Sequence, residues 1–583
     1  MKTKKKALAA IAVAASVTLV LSACGGSSSD GNKAKTSSGG YNAASSAIVN
    51  PSTKAGGTLK LAATSDCDSW DPQRTYYGWC WNMQRLFTRS LVGYSKVNGT
   101  KYEIAPDLAT SLGKHNADFT EWTYTLKKGL KFSNGAPITP KDVKYGIERL
   151  FATDVINGGP GSYFTSTIEH PKDYKGPYKS GDLDTITTTD DSITFKLSTA
   201  YSDWPYLMAM AASAPVPYKT EGGKGFVGAT YTKHPVSSGP YMIKSYTPNK
   251  SMIFTKNPNW DASTDTIHKP LASEIDVEIN TNSADIDSKL EAGTYDAKAD
   301  VPVEAALQAK IFTNPNLKKN ADDPITAFTR FFTVYQTVIT NKDCRLAIFY
   351  ATNKAAITQA YGGAAAGTVA GSMTPPGILG NRLKQDMYPS GKDNTGDLTK
   401  AKAALKKCGK PNGFSTKMAY STASDASKKA FEAEQSALAR VGIKITGAPN
   451  DGSTYYSTFV GSPSNVKNQG FGISIYGWGA DFPTPYGFWQ SIAATNSIVP
   501  TGNSNQPSLS DPVVDGVLKA SLKGKSTAAD WHKLDDAVMK NAVYLPIYFG
   551  RNLYYRNPRL TNITSDNALA FGIYDFVNVG VSK

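Results

Sequence analysis

Histidines are few in this chain, and the short motifs that usually mark an enzyme are missing. The five histidines are too far apart for a local metal motif, and neither the H-E-x-x-H nor the G-x-S-x-G pattern occurs. Residues 524–526, Gly-Lys-Ser, lack the upstream glycine of a phosphate-binding loop, because Lys519 occupies that position. The segment "GWGADF" has Phe482 where the third glycine of a dinucleotide-binding fingerprint belongs. We therefore expect a protein that is not an enzyme and needs no cofactor and no metal.

Long apolar runs are also scarce, and the one that stands out lies at the amino terminus. Lys2 and residues 4–6 precede an uncharged apolar run over residues 7–21, which ends in Leu21-Ser22-Ala23-Cys24. This order indicates a secretory signal peptide over residues 1–23. A cysteine directly after Leu-Ser-Ala resembles the bacterial lipoprotein box, in which the cysteine takes up diacylglycerol and becomes the new amino terminus. We expect Cys24 to be a lipid anchor; an ordinary signal peptide followed by a chance cysteine is the alternative.

The rest of the sequence has no run of about 18 to 20 apolar residues, the length that a membrane-spanning helix needs. We therefore expect a soluble mature chain that is extracytoplasmic and anchored by Cys24 to the outer face of the cell membrane. Residues 24–56 are rich in glycine, serine, alanine and lysine, a composition typical of a flexible stalk. The formal net charge is +15, but the lysines form no dense tract, which indicates surface solvation and no nucleic-acid binding.

Four of the five cysteines remain after Cys24, an even number that favours disulfide bonds in an exported protein. Proximity in sequence suggests that Cys67 pairs with Cys80 and Cys344 with Cys408, although four cysteines allow three pairings. Buried free thiols are the alternative. Metal binding is not expected, because no C-x-x-C spacing or histidine pair accompanies these cysteines.

Strand and helix patterns alternate along the chain without a repeat of fixed period, which predicts a mixed α/β fold and argues against solenoids and propellers. In residues 121–150, an alternating strand is followed by an Asn-Gly turn and by a helix with Thr139 as N-cap and Pro140 at its first position. The pattern of residues 343–361 predicts one helix that ends before Gly362.

Seven segments of the chain are similar, in order, to blocks of one protein family. The segments are "APDLATSL" (105–112), "WTYTLKKGLKFSNGAPITPKDVKYGIERL" (122–150), "HPVSSGPYMIKSY" (234–246), "KNPNWD" (256–261), "LEAGTYDA" (290–297), "DCRLAIFYATNKAAI" (343–357) and "DAVMKNAVYLPIYF" (536–549). They resemble the extracellular solute-binding proteins of the oligopeptide and dipeptide transport family, which serve ATP-binding cassette (ABC) importers. The resemblance implies an α/β, two-lobed, periplasmic-binding-protein-like fold of the large class, with an extra subdomain in lobe one.

The resemblance also implies where the lobes begin and end. Lobe one comprises residues 57–325, with the inserted subdomain at about 100–232, and the chain returns to it over residues 547–583. Lobe two comprises residues 326–546. Crossover strands are expected near "ITAFTRFFTVYQ" and "LPIYFGRNLYYR", and each expected disulfide stays inside one lobe.

The segment "GWGADFPTPYGFW", residues 477–489, places one carboxylate, Asp481, among aromatic residues, glycines and prolines. The preceding residues 471–478 alternate as a strand does, and ligands of layered α/β lobes gather at the carboxyl ends of strands. The segment resembles the family's Trp-x-x-Asp motif, whose aspartate pairs with the α-ammonium group of the ligand in peptide-binding members. By this resemblance Asp481 binds the ligand amine, Trp478 supplies an apolar wall and Gly479 permits close approach. In the alternative interpretation, Asp481 caps a turn and Trp478 is a core residue.

The loop "SWDPQRTYYGW" contains a second group of candidates. Family members approach their ligand with the segment that follows the corresponding Asp-Pro, so Tyr76, Tyr77 and Trp79 are expected to line the cleft. Aromatic packing inside the lobe is the alternative role for these side chains.

The sequence favours a lipid-anchored substrate-binding component of an ABC importer, a monomer that captures short peptides between two lobes and delivers them to the permease. A ligand that bridges the lobes shifts an open–closed equilibrium. Alternatively, the same fold binds a non-peptide ligand, such as an oligosaccharide, an opine or a metal chelate. A peptide-sensing receptor that feeds no transporter is a further alternative, and an envelope hydrolase is disfavoured by the missing motifs.

Overall fold

The computed structural model describes residues 35–97, 101–221, 231, 235–524, 526–565 and 572–582. The expected signal peptide and the expected lipid-anchor residue Cys24 lie outside these residues. Within the described ranges, no helix combines the length and the apolar sequence that crossing a membrane requires.

The largest sheet of the described chain, here called the central sheet, has six strands of mixed direction. Strand Ile325–Val334 runs antiparallel to both of its neighbours, Tyr544–Arg551 and Phe471–Gly479. Because Phe471–Gly479 has a neighbour on each edge and is buried as far as Tyr476, it gives rigid support to the segment that follows it. In sheet order the strands are Gly367–Val369, Tyr544–Arg551, Ile325–Val334, Phe471–Gly479, Ser415–Ser421 and Lys444–Asn450.

Two further sheets, together with the helices between the strands, confirm the mixed α/β class. The N-terminal sheet, as we call it, contains in order the described strands Tyr241–Thr247, Ser251–Lys256, Glu274–Glu278, Thr58–Ala62 and Ala297–Lys298. The inserted sheet lies within residues 100–232 and contains the described strands Lys114–His115, Glu121–Thr125, Ser192–Lys196 and Ile186–Thr188. The predicted lobe boundaries stay predictions.

The longer helices of the described chain pack around these sheets, and one of them begins as its sequence predicts. Helix Pro140–Glu148 follows Thr139 as N-cap, and Asp142 Oδ2 accepts a hydrogen bond from the Thr139 backbone N–H at 2.7 Å. The longer helices are Gly78–Phe87, Pro140–Glu148, Ser283–Glu291, Ala305–Thr313, Lys342–Ala351, Lys354–Ala360, Leu398–Lys407, Asp425–Ala439, Pro463–Gln469, Pro485–Ala493, Pro512–Ser521 and Ala528–Lys540.

The single helix predicted over residues 343–361 is wrong, because the structure contains two. Helix Lys342–Ala351 ends where Thr352 adopts a non-helical conformation, and helix Lys354–Ala360 begins after Asn353. The Asn353 side chain accepts a hydrogen bond from the backbone N–H of residue 356 at 2.9 Å. An asparagine that caps a new helix in this way favours a break over continuation.

Both disulfide pairs suggested by sequence proximity are present. Cys67 is bonded to Cys80 and Cys344 to Cys408, with Cα–Cα distances of 5.8 and 5.3 Å. The alternative of free thiols is therefore wrong. The first disulfide closes the loop that carries Tyr76 and ties it to helix Gly78–Phe87.

The flexible stalk expected over residues 24–56 is corrected for its described part, because that part packs against distant segments. Ala44 and Val49 are fully buried. The backbone N–H of Ala44 donates to Asp322 Oδ1 at 2.8 Å, and that of Val49 donates to the carbonyl of Ile563 at 2.9 Å. The small Ala44 and the β-branched Val49 pack against these distant segments, which also accept their backbone hydrogen bonds. Because those partners lie hundreds of residues away, the local composition does not indicate them.

Candidate ligand-binding cleft

A cavity of about 360 Å³ is lined by residues of the central sheet and of the loop before helix Gly78–Phe87. Its volume lies at the lower end of the range of about 300 to 1,000 Å³ that is typical of small-molecule sites. Strand Phe471–Gly479 ends in this cavity, as expected for a ligand site in a layered α/β fold. The six residues proposed from sequence all contribute to its lining: Tyr76, Tyr77, Trp79, Trp478, Gly479 and Asp481.

The Asp481 carboxylate is partly buried and surrounded by hydroxyl groups. Its Oδ2 atom accepts hydrogen bonds from the hydroxyls of Tyr76 and Tyr163, both at 2.8 Å, and from that of Ser491 at 3.5 Å. Burial raises the pKa of Asp481 to about 7, although the three hydroxyl donors act to lower it. At neutral pH the carboxyl group is therefore divided between its neutral and ionised forms.

The side chain of Asp481 does not cap the turn that follows it. That role belongs to Thr484, whose hydroxyl accepts a hydrogen bond from the backbone N–H of Gly487 at 3.2 Å, at the start of helix Pro485–Ala493. Asp481 contributes its backbone N–H to the turn, which donates to the carbonyl of Gly487 at 3.0 Å. Its carboxylate instead accepts the hydrogen bonds from the hydroxyls of Tyr76, Tyr163 and Ser491.

Several of these contacts join the segments predicted to belong to different lobes. Tyr76 and Tyr163 come from the range predicted as lobe one, whereas Asp481 comes from the range predicted as lobe two. The hydroxyl of Tyr77 also joins these two ranges, because it donates to the backbone carbonyls of residues 452 and 453, at 3.1 and 3.0 Å. Tyr76 and Tyr77 therefore hold the two sides of the cavity together in this structure.

The two tryptophans proposed from sequence have different surroundings. Trp79 is 6% exposed and packs edge-to-face against Trp70 at 6.1 Å, so most of its ring belongs to the core beside the N-terminal sheet. Trp478 is partly exposed, donates its Nε1–H to the carbonyl of Phe488 at 2.9 Å and lies nearly parallel to the ring of Tyr476. Trp478 thus forms a fixed aromatic wall, and Trp79 presents little surface to the cavity.

A family model described as "Bacterial extracellular solute-binding proteins, family 5 Middle" matches residues 103–498. The chain belongs to this family. Its members are substrate-binding proteins, and the solved structures that the chain resembles over nine-tenths of its length confirm the two-lobed, periplasmic-binding-protein-like fold.

Relatives of this solute-binding protein are named for several different ligands. The probable D,D-dipeptide-binding periplasmic protein DdpA of Escherichia coli (strain K12) is 25% identical, over 84% of this chain and 88% of that protein. Heme-binding protein A of Haemophilus influenzae is 25% identical, over 97% of this chain and 98% of that protein. The solved structure of clavulanic acid biosynthesis oligopeptide binding protein 2 is 34% identical with a TM-score of 0.83, over 94% of this chain and 99% of that chain. Family membership alone therefore leaves the ligand open.

Two residues that bear on the cleft of this family 5 protein were missed from sequence: Tyr163, which contacts Asp481, and Arg330, which lines the cavity. Tyr163 lies in the short helix Gly161–Thr165, and nothing in its local sequence points to Asp481. Arg330 lines the cavity from strand Ile325–Val334, where it is the single charge in "ITAFTRFFTV". The same signal that drew attention to Asp481, a lone charge among apolar residues, was present for Arg330.

A separate cluster outside the cleft, formed by Asp107, Asp265 and His268, has side chains close enough to hold a metal ion. Arg89 Nε, however, lies 2.7 Å from Asp107 Oδ1 and 3.2 Å from Asp265 Oδ2. Burial acts to raise the pKa of Asp265, but His268 and Arg89 hold it well below its usual range. Because the arginine already supplies the positive charge, we assign this cluster as a structural ion-pair network.

Proposed function

We propose that this solute-binding protein is the lipid-anchored component of an ABC importer that captures short peptides between its two lobes and delivers them to the permease. The observation that carries the proposal is the position of Asp481, whose carboxylate lines the cavity beside hydroxyls from distant parts of the chain. Relatives named for dipeptide and oligopeptide binding support a peptide ligand.

Asp481 binds the α-ammonium group of the peptide. Every peptide with a free amino terminus carries this group, so one carboxylate recognises peptides of any sequence. A charge-assisted hydrogen bond of this kind is strong in a closed cleft from which water is excluded. Oδ1 of Asp481 makes no hydrogen bond to any described residue, and Oδ2 has only hydroxyl donors. A bound ammonium opposes the burial effect on the pKa and favours the ionised carboxylate.

The aromatic residues of the cleft have two roles, contact with the ligand and stabilisation of the closed form. Trp478 supplies an apolar wall, and Gly479 lets the ligand backbone approach the end of its strand. Tyr76 and Tyr77 hold the closed cleft through hydrogen bonds to the opposite side. A ligand that touches both sides adds contacts that the open form lacks, so it shifts the equilibrium toward closure and lets the permease distinguish loaded from empty protein.

The proposed lipid anchor and the proposed protein partners rest on the sequence. Cys24 carries the lipid and holds a monomer at the outer face of the cell membrane, where the transmembrane subunits of the importer receive the peptide. The protein performs no chemical step and takes no nucleic acid or cofactor.

Mass spectrometry of the compound released by gentle denaturation tests the proposed ligand. The chain is produced without residues 1–24 and purified without added ligand, because a closed cleft retains its cargo through purification. A set of short peptides is the expected result. An opine, a saccharide, a metal chelate or heme as the released compound would contradict the peptide function and leave the fold unchanged.

A further inference from the structure

A second cavity of about 370 Å³, here called the polar cavity, adjoins the one that contains Asp481. Its lining residues are polar except for Ala423 and Gly452. Asp66 and Asp451 are among them, whereas no lysine, arginine or histidine of the described chain lines it. The polar cavity therefore offers hydrogen bonds and negative charge, which suit a polar or cationic group better than an anionic one.

The polar cavity lies where strands of two different sheets end. Its loops follow the carboxyl ends of four strands, two of them parallel neighbours in the N-terminal sheet and two parallel neighbours in the central sheet. In layered α/β folds, ligands bind outside the carboxyl ends of strands. The position is therefore that of a ligand site. The four strands are Thr58–Ala62, Glu274–Glu278, Ser415–Ser421 and Lys444–Asn450.

Three side chains of the polar cavity have hydrogen-bonding groups that the protein itself does not use. The hydroxyl of Ser65 and the side-chain amides of Asn249 and Asn280 make no hydrogen bond to a described residue. Asn249 and Asn280 have φ angles of 55° and 60°, a backbone conformation that asparagine adopts more readily than most residues. An amide both donates and accepts, so these side chains match the N–H and C=O groups of a ligand backbone.

The two cavities meet at three small residues, Ser65, Ala423 and Gly452, here called the neck. A Cβ atom at Gly452 would lie 2.9 Å from Cβ of Ala423 and 3.3 Å from Cβ of Ser65, so the neck is closely packed in this structure. Ser65 comes from the range predicted as lobe one, and the other two come from the range predicted as lobe two. Because Gly452 has no side chain, a modest separation of the two sides opens the neck to an extended ligand backbone.

The strand order of the central sheet sets the distance from Asp481 to the neck. One strand, Ser415–Ser421, separates Phe471–Gly479, which leads to Asp481, from Lys444–Asn450, which leads to Gly452. Neighbouring strands lie about 4.8 Å apart, so the two strands are displaced by roughly 10 Å across the sheet. Since an extended chain advances about 3.3 Å per residue, a ligand whose amino group is held at Asp481 reaches the neck at about its fourth residue.

We propose that the polar cavity receives the distal residues of ligands longer than about four residues, which pass through the neck, and that it favours polar or cationic groups over anionic ones. This assignment rests on the proposed function, in which Asp481 binds the amino group of a peptide. Shorter peptides stay in the cavity beside Asp481 and leave the neck closed. Longer peptides gain hydrogen bonds from Asn249 and Asn280, so one cleft accepts peptides of different lengths.

Photoreactive octapeptides test the path of the ligand. They have free termini, randomised side chains and one small diazirine-bearing residue at the second, fourth or sixth position. The chain without residues 1–24 is freed of bound compound by denaturation and refolding, loaded with the peptides and illuminated. Mass spectrometry then identifies the labelled residues of the protein.

Each position of the diazirine has its own expected target. A label at the second residue should attach beside Asp481, for example to Trp478, and a label at the fourth should attach to the neck. A label at the sixth residue should attach to the loops of the polar cavity, at residues 249, 280–282 or 451–453. If bound peptides with the sixth-residue label leave these loops unlabelled, the proposal is overturned.

The double variant Asn249→Gly/Asn280→Gly removes both free amides and suits the positive φ angles of these positions. Calorimetry compares octapeptides with tripeptides. We expect the octapeptides to bind at least about fivefold more weakly than to the wild type, because two hydrogen bonds are lost, and the tripeptides to bind unchanged. Asn394→Gly, at a φ of 58° and outside both cavity linings, is the matched control. The same change for both lengths, or no change, contradicts the role of the two amides.

Two octapeptides that differ only in lysine or glutamate at the sixth residue test the acidic lining. The glutamate peptide should bind about two- to fivefold more weakly, the size of effect expected for partly exposed charges. Asp451→Asn should reduce this difference, because it removes one of the two lining carboxylates. Equal affinities for the wild type, or tighter binding of the glutamate peptide, overturn the charge preference.

The outcomes distinguish this proposal from the peptide function on which it rests. If tripeptides bind and octapeptides do not, the peptide function stands and the role of the polar cavity is overturned. If peptides of neither length bind, the peptide function fails, and the assignment of the polar cavity fails with it.

Discussion

The hydroxyl of Tyr163 donates a hydrogen bond to Oδ2 of Asp481 at 2.8 Å, across 318 positions of sequence. The same oxygen accepts a hydrogen bond from Tyr76, 405 positions away, also at 2.8 Å. The tyrosines belong to the range predicted as lobe one, and the carboxylate belongs to the range predicted as lobe two. Asp481 is therefore a contact across the cleft as well as the proposed acceptor for the ligand, and the two roles can be tested separately.

Asp481→Asn keeps the size of the side chain and removes its charge. We expect the affinity for a peptide with a free amino terminus to fall by roughly 2 to 5 kcal/mol, since a desolvated ammonium group loses its partner. Calorimetry compares one peptide in its free and acetylated forms. The acetylated peptide should bind the wild type and the variant alike, and exposed Asp190→Asn serves as the charge-matched control. Undiminished binding of the free amine by Asp481→Asn would rule out this role.

Tyr163→Phe removes one hydroxyl donor to Asp481 and leaves the ring in place. A hydrogen bond to a charged group contributes about 1.5 to 3 kcal/mol, so the ligand-free variant should populate the open form more than the wild type. Small-angle X-ray scattering should show a larger radius of gyration for ligand-free Tyr163→Phe. Tyr174→Phe removes a hydroxyl that donates to the carbonyl of Gly181 in the insertion and is the matched control. Identical scattering from all three proteins would contradict a closing role for Tyr163.

The affinity for free-amine peptides should depend on pH through Asp481. Burial raises the pKa of this carboxyl group from 3.8 to about 7, so at lower pH the cleft holds mostly the neutral acid, which cannot pair with an ammonium group. Affinity therefore rises with pH up to about 7, and it falls above about 8 as the peptide amino group loses its proton. Calorimetry across this range should show proton release on binding below pH 7. Asp481→Asn should lose the rise on the acid side, and a flat wild-type profile there would be inconsistent with the assignment.

Cys24→Ser should release the protein from membranes, because the thiol that carries the proposed lipid is absent. Fractionation of cells that express the wild type or the variant measures the change directly. We expect the variant in the soluble extracytoplasmic fraction, with peptide affinity equal to that of the chain without residues 1–24. Membrane association that persists in Cys24→Ser would require a different anchor.

Part of this fold could be read from short stretches of sequence because the deciding contacts are local. Thr139 and Asp142 are three residues apart and form the expected start of their helix. Cys67 and Cys80, 13 residues apart, are bonded as proximity suggested. The same local reasoning failed at Asn353, where two helices replace one, because the helical pattern on either side concealed a cap in the middle.

The sequence by itself determined the family, the mixed α/β class and the strand end at which Asp481 lies, since each depends on residue order or on neighbours close in the chain. It favoured the two disulfide pairs that the structure contains, while other pairings and free thiols stayed open. Only the tertiary structure decided what surrounds that carboxylate. Tyr163 reaches Asp481 from several hundred residues away, and Arg330 faces the same cavity from another strand. Burial and hydrogen-bond partners are set by segments that meet only after folding, so the raised pKa of Asp481 has no local signature.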